Sequence, residues 1–155
     1  RSQHPYRDLW INFFQFFSFW SCGYTPLYKQ KHNLDQPIKT IALKGDQKIN
    51  RIIISSLGLK EDKNIKSRYV LELNSTKKID VVSKDKNGNP SVYRSYIKVN
   101  ISLSNGELTI KQKEFNSSFT YNVTQNRFAL SQYQKNIELN LINEISEEIF
   151  IYLRN

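Results

Sequence analysis

The stretch 'YIKVNISLSNGELTI', residues 96–110, decides the fold of this chain. Ile97, Val99, Ile101 and Leu103 are apolar and alternate with polar residues, which is the pattern of a β-strand with one buried face. Asn105-Gly106 follows directly, and Asn-Gly between two apolar runs is a strong signal for a tight hairpin turn. The stretch therefore predicts two antiparallel strands joined by that turn.

The strand after this turn is predicted to run through 'ELTIKQKEFNSSFTYNV', residues 107–123. Its apolar residues fall at even numbers up to Ile110 and at odd numbers from Phe115 onward. Side chains of a strand alternate between the two faces of the sheet, so this switch predicts a β-bulge between those two residues. The apolar positions are Leu108, Ile110, Phe115, Phe119, Tyr121 and Val123.

A third strand is predicted upstream, in 'RYVLELNSTKKIDVVS', residues 68–83, where apolar residues again alternate with polar ones. Its apolar positions are Tyr69, Leu71, Leu73, Ile79 and Val81. The segment 'KDKNGNP', residues 84–90, then contains a second hairpin signal at Asn87-Gly88. The three strands therefore form a meander. The exposed face of this sheet is expected to be polar and basic, with Lys98, Asn100, Ser102, Thr109 and Lys111.

One short strand and one helix are predicted before the meander. 'IKTIAL', residues 38–43, has the apolar content of a short strand. Asp46 is a helix N-cap residue type, and Gly58 follows the last apolar position as a C-terminal stop. The run of isoleucines at 52–54 would also suit a buried strand, but the caps at both ends favour a helix.

The last predicted element is a long helix from Arg127 to Leu153. Its apolar residues recur every three or four positions, with Glu138, Glu144 and Glu147 placed away from them. Together these elements predict an α+β fold: a small four-stranded sheet with two helices packed on one face, in the order strand-helix-strand-strand-strand-helix. The apolar positions of the helix are Leu130, Tyr133, Ile137, Leu141, Ile145, Ile149 and Tyr152.

The N-terminal part contains an apolar run followed by the only cysteine of the chain. 'LWINFFQFFSFW', residues 9–20, is too short to span a membrane but has the length of a signal-peptide core. Ser21 and Cys22 complete a pattern like a bacterial lipobox, in which the cysteine thiol is acylated after cleavage. The alternative is a buried structural cysteine. We expect a lipoprotein signal peptide at 1–21, a lipidated tether at 22–37 and a folded domain at 38–155.

The order of the predicted elements and the sequence from Cys22 to Tyr28, 'CGYTPLY', together resemble the LptE family of lipopolysaccharide-assembly lipoproteins. The motif is similar to the mature start of the alphaproteobacterial branch of that family. The resemblance implies a domain with the element order given above. It also implies a lipid-anchored location on the periplasmic side of the outer membrane and a partner, the outer-membrane β-barrel LptD, which the lipoprotein plugs. The pair inserts lipopolysaccharide into the outer leaflet, and no catalysis or cofactor is implied.

The charge of the chain suits an anionic ligand but does not identify it. The formal net charge is +9, which favours nucleic acid, an anionic membrane face or a phosphorylated glycolipid. A basic nucleic-acid-binding α+β module is therefore the alternative function, and a small periplasmic enzyme is disfavoured because no acid–base or nucleophile pair is apparent. His4 and His32 are the only histidines, so a metal site is not expected.

Four basic residues are the candidate lipopolysaccharide-binding residues. Lys84 and Lys86 lie at the predicted hairpin tip and Arg94 lies along one arm, where cations can reach lipid A phosphates. Lys86, just before Asn87-Gly88, resembles a glycolipid-binding position of some LptE relatives, and Lys135 is a second, weaker match. The alternative is that these residues only keep turns solvated and strand edges unpaired.

Overall fold

The computed structural model describes residues 38–63 and 68–155. The predicted signal peptide, Cys22 and the tether lie outside the described residues. The elements are β1 (Thr40–Gly45), α1 (Gln47–Ser56), β2 (Tyr69–Lys84), β3 (Pro90–Asn105), β4 (Leu108–Asn122) and α2 (Arg127–Arg154). The predicted α+β architecture and its strand-helix-strand-strand-strand-helix order are confirmed.

The four strands form one sheet in the order β1-β2-β3-β4. β2, β3 and β4 are antiparallel neighbours, because each is joined to the next by a tight hairpin. β1 pairs with the first part of β2 in parallel, since α1 carries the chain back across the sheet between them. Gly88 and Gly106 adopt positive φ angles of 83° and 64°, which the Asn-Gly sequences at the two hairpin turns allow.

The start of α1 is fixed by Asp46, as predicted. Its carboxylate accepts hydrogen bonds from the backbone N–H groups of Lys48 and Ile49, at 3.0 and 3.1 Å. These are two of the N–H groups that a helix leaves without partners inside the helix. Gly58 has a φ of 64°, which agrees with its predicted role in ending the helix.

Both helices pack on one face of the sheet and form a single core with it. The predicted strand residues Ile97, Val99 and Ile101 are completely buried, and so is Ile145 of α2. Burial of each such side chain contributes roughly 1.5–3 kcal/mol. Two further α2 residues that the sequence pattern missed, Ile142 and Leu153, are also buried there. No helix in the described part of the chain is both long and apolar enough to cross a membrane.

The predicted bulge in β4 is confirmed at Ile110. Leu103 pairs with Lys111 and the next residue, Ser104, pairs with Thr109, so Ile110 is the extra residue. The bulge also corrects one prediction, because it places Lys111 on the side of the sheet that the helices cover. The Lys111 ammonium donates hydrogen bonds to the carbonyl oxygens of Tyr152 and Leu153, where it complements the C-terminal end of α2.

Candidate functional site

The structure separates the four candidate basic residues into three places. Lys84 and Lys86 are exposed at the tip of the β2–β3 hairpin. Arg94 lies along β3, on the sheet face opposite the helices, and its Nε donates to the hydroxyl of Thr120 at 3.2 Å. Lys135 lies on α2 and lines a pocket between this helix and the sheet. The structure therefore does not bring these residues into one binding site.

The hairpin tip is an ordered turn held by Asp85. One oxygen of its carboxylate accepts hydrogen bonds from the backbone N–H groups of Asn87 and Asn89, at 2.8 and 2.9 Å. The bond from Asn89 is the main reason why the pKa of Asp85 lies below its ordinary value, with smaller contributions from Asn87 and Gly88. Because the carboxylate faces these N–H groups, it forms no ion pair with Lys84 or Lys86.

The two tip lysines are thus available to an anionic ligand. Within residues 38–63 and 68–155, neither ammonium has a salt-bridge partner. Both lie beside a fixed turn, so they present two positive charges at a defined position rather than on a loose loop. Such exposed lysines can contact phosphate groups as point charges, and salt screens the attraction.

A second cationic site is the pocket between the sheet and the first half of α2. Its volume is about 250 Å³. Cationic side chains from three elements line it: Lys48 from α1, Lys77 from β2 and Lys135 from α2. Its apolar wall includes Ile79 and Leu141. A pocket with apolar walls and several ammonium groups is suited to an anionic amphiphile.

Glu138 occupies the inner side of this pocket and joins the three elements. Its carboxylate accepts from the ammonium of Lys48 at 2.9 Å and from that of Lys77 at 2.8 Å. The residue is only 9% exposed. Burial opposes ionisation of this carboxyl, but hydrogen bonds and charge attraction from Lys77 and Lys48 outweigh it and hold its pKa below the ordinary value. Lys135 has no such partner among the described residues.

The prediction that Glu138 lies away from the apolar face of the long helix is wrong. Leu141 and Ile145, three and seven residues later, lie on the same side of a helix as Glu138 and both belong to the predicted apolar stripe. Their spacing is the signal that could have placed Glu138 within the stripe. A glutamate within a buried stripe needs a cationic partner, since an unpaired buried charge is costly.

An aromatic cluster contacts the wall of the pocket, because the Tyr121 hydroxyl accepts hydrogen bonds from Ser95 and Gln134, which line it. The rings of Tyr93, Tyr121 and Tyr133 form a chain, with centroids 6.0 Å apart in the first pair and 5.7 Å apart in the second. Ile79 and Phe119 lie on the same side of the sheet and are 44% and 45% exposed. Apolar residues on this face were expected to be buried, but α2 covers them only in part.

The opposite sheet face is polar, and its charges largely pair with one another. Lys98 contacts Glu114 at 3.0 Å, and Lys78 contacts Asp80 at 2.9 Å. The hydrogen bond from Glu114, together with its charge, raises the pKa of Lys98 above the ordinary lysine value. The aromatic residues of β4 that could stack on nucleic-acid bases, Phe115 and Tyr121, are buried under the helices instead. The aromatic side chains of β4 therefore do not form a base-stacking surface on this face.

Metal ligands are not clustered in the part of the chain that the structure describes. No three histidine, cysteine, aspartate or glutamate side chains within residues 38–63 and 68–155 lie close enough to hold one ion. The two histidines and Cys22 belong to the segment outside that description.

Comparison with solved structures identifies the fold. The chain superimposes on rare lipoprotein B from Shewanella oneidensis with a TM-score of 0.58 and 12% sequence identity, covering 74% of this chain and 93% of that one. The chain has the rare lipoprotein B fold. A minor lipoprotein from Acinetobacter baumannii (TM-score 0.53, 12% identity, covering 74% and 90%) shares it. So does a lipoprotein B from Nitrosomonas europaea (TM-score 0.51, 10% identity, covering 78% and 84%).

The likeness is one of structure and not of sequence. No protein-family model and no curated protein matches the chain. The element order that the LptE resemblance implied for the folded domain is the order that the structure has.

Proposed function

We propose that this chain is a non-catalytic outer-membrane lipoprotein of the LptE type, which plugs the LptD barrel and binds lipopolysaccharide during its insertion into the outer leaflet. The observation that carries the proposal is the rare lipoprotein B fold of residues 38–155. The 'CGYTPLY' motif at residues 22–28 supports it independently, because it lies in a different part of the chain.

The proposal assigns Cys22 as the site of lipid attachment and places the domain on the periplasmic side of the outer membrane. An apolar run, a small residue and a cysteine are the features that lipoprotein processing requires. Several acyl chains on one cysteine would anchor the protein stably, whereas one chain binds a membrane weakly. The bulky residues Phe19 and Trp20 depart from the usual lipobox, so mass spectrometry of the membrane-extracted protein is the direct test.

Lipopolysaccharide carries anionic phosphates beside apolar acyl chains, and the site chemistry suits both parts. The tip lysines Lys84 and Lys86 provide unpaired cations, and the pocket beside Lys135 combines ammonium groups with apolar walls. Arg94 lies on the other sheet face, so we assign it a smaller role. The binding step needs no reacting group, which agrees with an adaptor function and not with an enzyme.

The test of lipid binding is the double change Lys84→Glu and Lys86→Glu in the purified domain. Each exposed contact contributes about 0–1 kcal/mol, and charge reversal adds repulsion to the lost attraction. We expect lipopolysaccharide binding to weaken roughly tenfold at low salt and the difference to shrink as salt rises. The matched control is Lys39→Glu with Lys60→Glu, which makes the same charge change on two exposed lysines away from the hairpin. An equal loss of lipopolysaccharide affinity in both double variants would show that the effect comes from the change in net charge, and it would refute a binding site at the hairpin tip.

The test of the partner is co-expression of the full chain with LptD and isolation through a tag on the barrel. We expect the two proteins to purify together in detergent, with Cys22→Ser lowering membrane retention when the barrel is absent. Failure of the wild-type chain to purify with LptD, while it remains folded and membrane-bound, would refute the plug role but not the lipid anchor.

A further inference from the structure

The second part of β2 forms a long free edge, in addition to the two outer strands of the sheet, β1 and β4. β1 pairs with β2 only from Val70 to Ser75. β2 continues to Lys84, and over this second part it pairs with β3 alone. One side of β2 from residue 76 onward therefore has no neighbouring strand within residues 38–63 and 68–155.

The point at which β1 leaves the sheet is built into the structure. The backbone N–H of Asp46 donates to the carbonyl of Ser75 at 2.9 Å, and the Ser75 hydroxyl donates back to the Asp46 carbonyl at 3.0 Å. Gly45 has a φ of 75°, and a side chain there would overlap the Ser75 carbonyl oxygen. The chain then turns directly into α1, so β1 cannot extend further along β2.

The backbone groups of Ile79 and Val81 face the side that β1 leaves open. The carbonyl oxygens of Tyr69 and Ser75 both accept hydrogen bonds from the β1 side. Backbone groups of successive strand residues point in opposite directions, so other odd-numbered residues of β2 point the same way. Neither Ile79 nor Val81 has a hydrogen-bond partner on that side among the described residues, and unpaired strand edges readily pair with another chain.

The side chains along this edge are apolar and exposed. Ile79, Val81 and Val82 are 44%, 46% and 47% exposed. The opposite edge of the sheet, on β4, has a bulge at Ile110 and charged residues on either side of it. β2 also shifts register, at Val82, so its regular unpaired edge ends at Val81. Bulges and charges are common means of preventing strand addition, and the part from Ile79 to Val81 has no bulge and one charged residue, Asp80.

The charges around the β2 edge indicate the chemistry of its partner. Residues 76–86 contain four lysines and two aspartates. The carboxylate of Asp85 is turned to the tip N–H groups, Asp80 is paired with Lys78, and Lys77 is paired with Glu138. The lysines that remain without an ion-pair partner among the described residues are Lys84 and Lys86, so the segment is cationic toward a partner. A second copy of this edge would bring the lysines of both copies together, so self-pairing is unfavourable. We propose that the β2 edge at residues 79–81 binds an extended, acidic segment of a partner polypeptide, which joins the sheet as a fifth strand.

The probe for this site is a fluorescein-labelled peptide of alternating valine and glutamate, about eight residues long, an ordinary strand length. Two control peptides are a valine–lysine version and an acidic version with a central proline, which cannot form a continuous strand. We expect the acidic peptide alone to bind, and to slow amide hydrogen exchange at Ile79 and Val81. Protection that appears on β4 instead, or equal binding of the three peptides, would overturn the proposal.

The matched variants are Ile79→Pro and Ile79→Ala, which lose the same apolar side chain but differ in the backbone N–H. Proline is tolerated at a strand edge when its missing N–H would face outward. We expect Ile79→Pro to weaken peptide binding about tenfold relative to Ile79→Ala, the equivalent of one hydrogen bond. If the proline variant is unfolded by circular dichroism, hydrogen exchange of the wild-type complex decides alone. Equal binding by two folded variants, or wild-type dimers that form without peptide, would refute the proposal.

Discussion

The change Glu138→Gln tests the contact that joins α1, α2 and the sheet. Glutamine keeps the size of the side chain but removes the charge that holds Lys48 and Lys77. Fully buried charge-assisted bonds contribute about 1.5–3 kcal/mol each. The side chain of Lys48 is 63% exposed and that of Lys77 is 34% exposed. Water therefore screens the attraction between Glu138 and each lysine, and screens the attraction to Lys48 more strongly. We therefore expect a loss of about 1–2 kcal/mol in unfolding free energy and a decrease of roughly 4–8 °C in melting temperature.

The pH dependence of this loss gives a stricter test. The pKa of Glu138 is lower in the folded than in the unfolded chain, so its stabilising effect is present above the unfolded pKa and is lost as pH falls through the folded one. The difference between wild type and Glu138→Gln should thus be full at pH 7 and disappear in acid. Urea unfolding at several pH values measures it, with Glu147→Gln, an exposed glutamate of the same helix, as control. A pH-independent difference, or equal loss in the control, would refute the role of these ion pairs.

Two further predictions concern turns. Gly45→Ala should lower the free energy of unfolding by at least about 2 kcal/mol, because the residue has a positive φ and its new methyl group would overlap the Ser75 carbonyl. Gly88→Ala is the control: the residue also has a positive φ but has open space around it, so urea unfolding should show a loss of only about 1 kcal/mol. Asp85→Ala should accelerate amide hydrogen exchange at Asn87 and Asn89 without changing the melting temperature measurably, because it removes only the hydrogen bonds within the turn. In the wild type the same acceleration should appear only at a pH below the ordinary aspartate range, because the pKa of Asp85 is lowered in the folded chain.

Periodicity predicted the fold well because one face of the sheet and one stripe of the helix are buried. The alternation from Ile97 to Leu103 and the switch of face before Phe115 each have a direct structural counterpart. The two hairpin turns and the start of α1 could also be predicted, since Asn-Gly and an N-cap aspartate form their hydrogen bonds and turns with residues that are close in sequence. Such local signals do not depend on how distant parts of the chain meet.

The candidate site was predicted less well because it depends on contacts between distant residues. Glu138 meets Lys48 and Lys77, which are 90 and 61 residues away in sequence. No local pattern indicates that α1, β2 and α2 converge there. The tip lysines could be predicted as exposed because the hairpin turn that places them is encoded locally, at Asn87-Gly88. For Ile79, alternation predicted which face of the sheet the side chain is on. It could not predict that α2 covers this end of the face only in part and leaves Ile79 exposed.

An anionic ligand can bind only those lysines that are not already paired with a carboxylate of the protein. A change at Glu138 therefore alters the number of lysines that are free to bind it. In wild type Glu138 holds two of the three pocket lysines and leaves Lys135 unpaired. Glu138→Gln should therefore weaken the fold yet strengthen lipopolysaccharide binding, since two ammonium groups are released and one negative charge is removed. Each exposed contact is worth about 0–1 kcal/mol, so we expect roughly a two- to fivefold gain at low salt. Adding Lys135→Gln should reduce this gain, whereas adding Lys60→Gln, a distant lysine, should not. A folded Glu138→Gln domain that binds no better than wild type would show that the pocket is not where the anionic lipid binds.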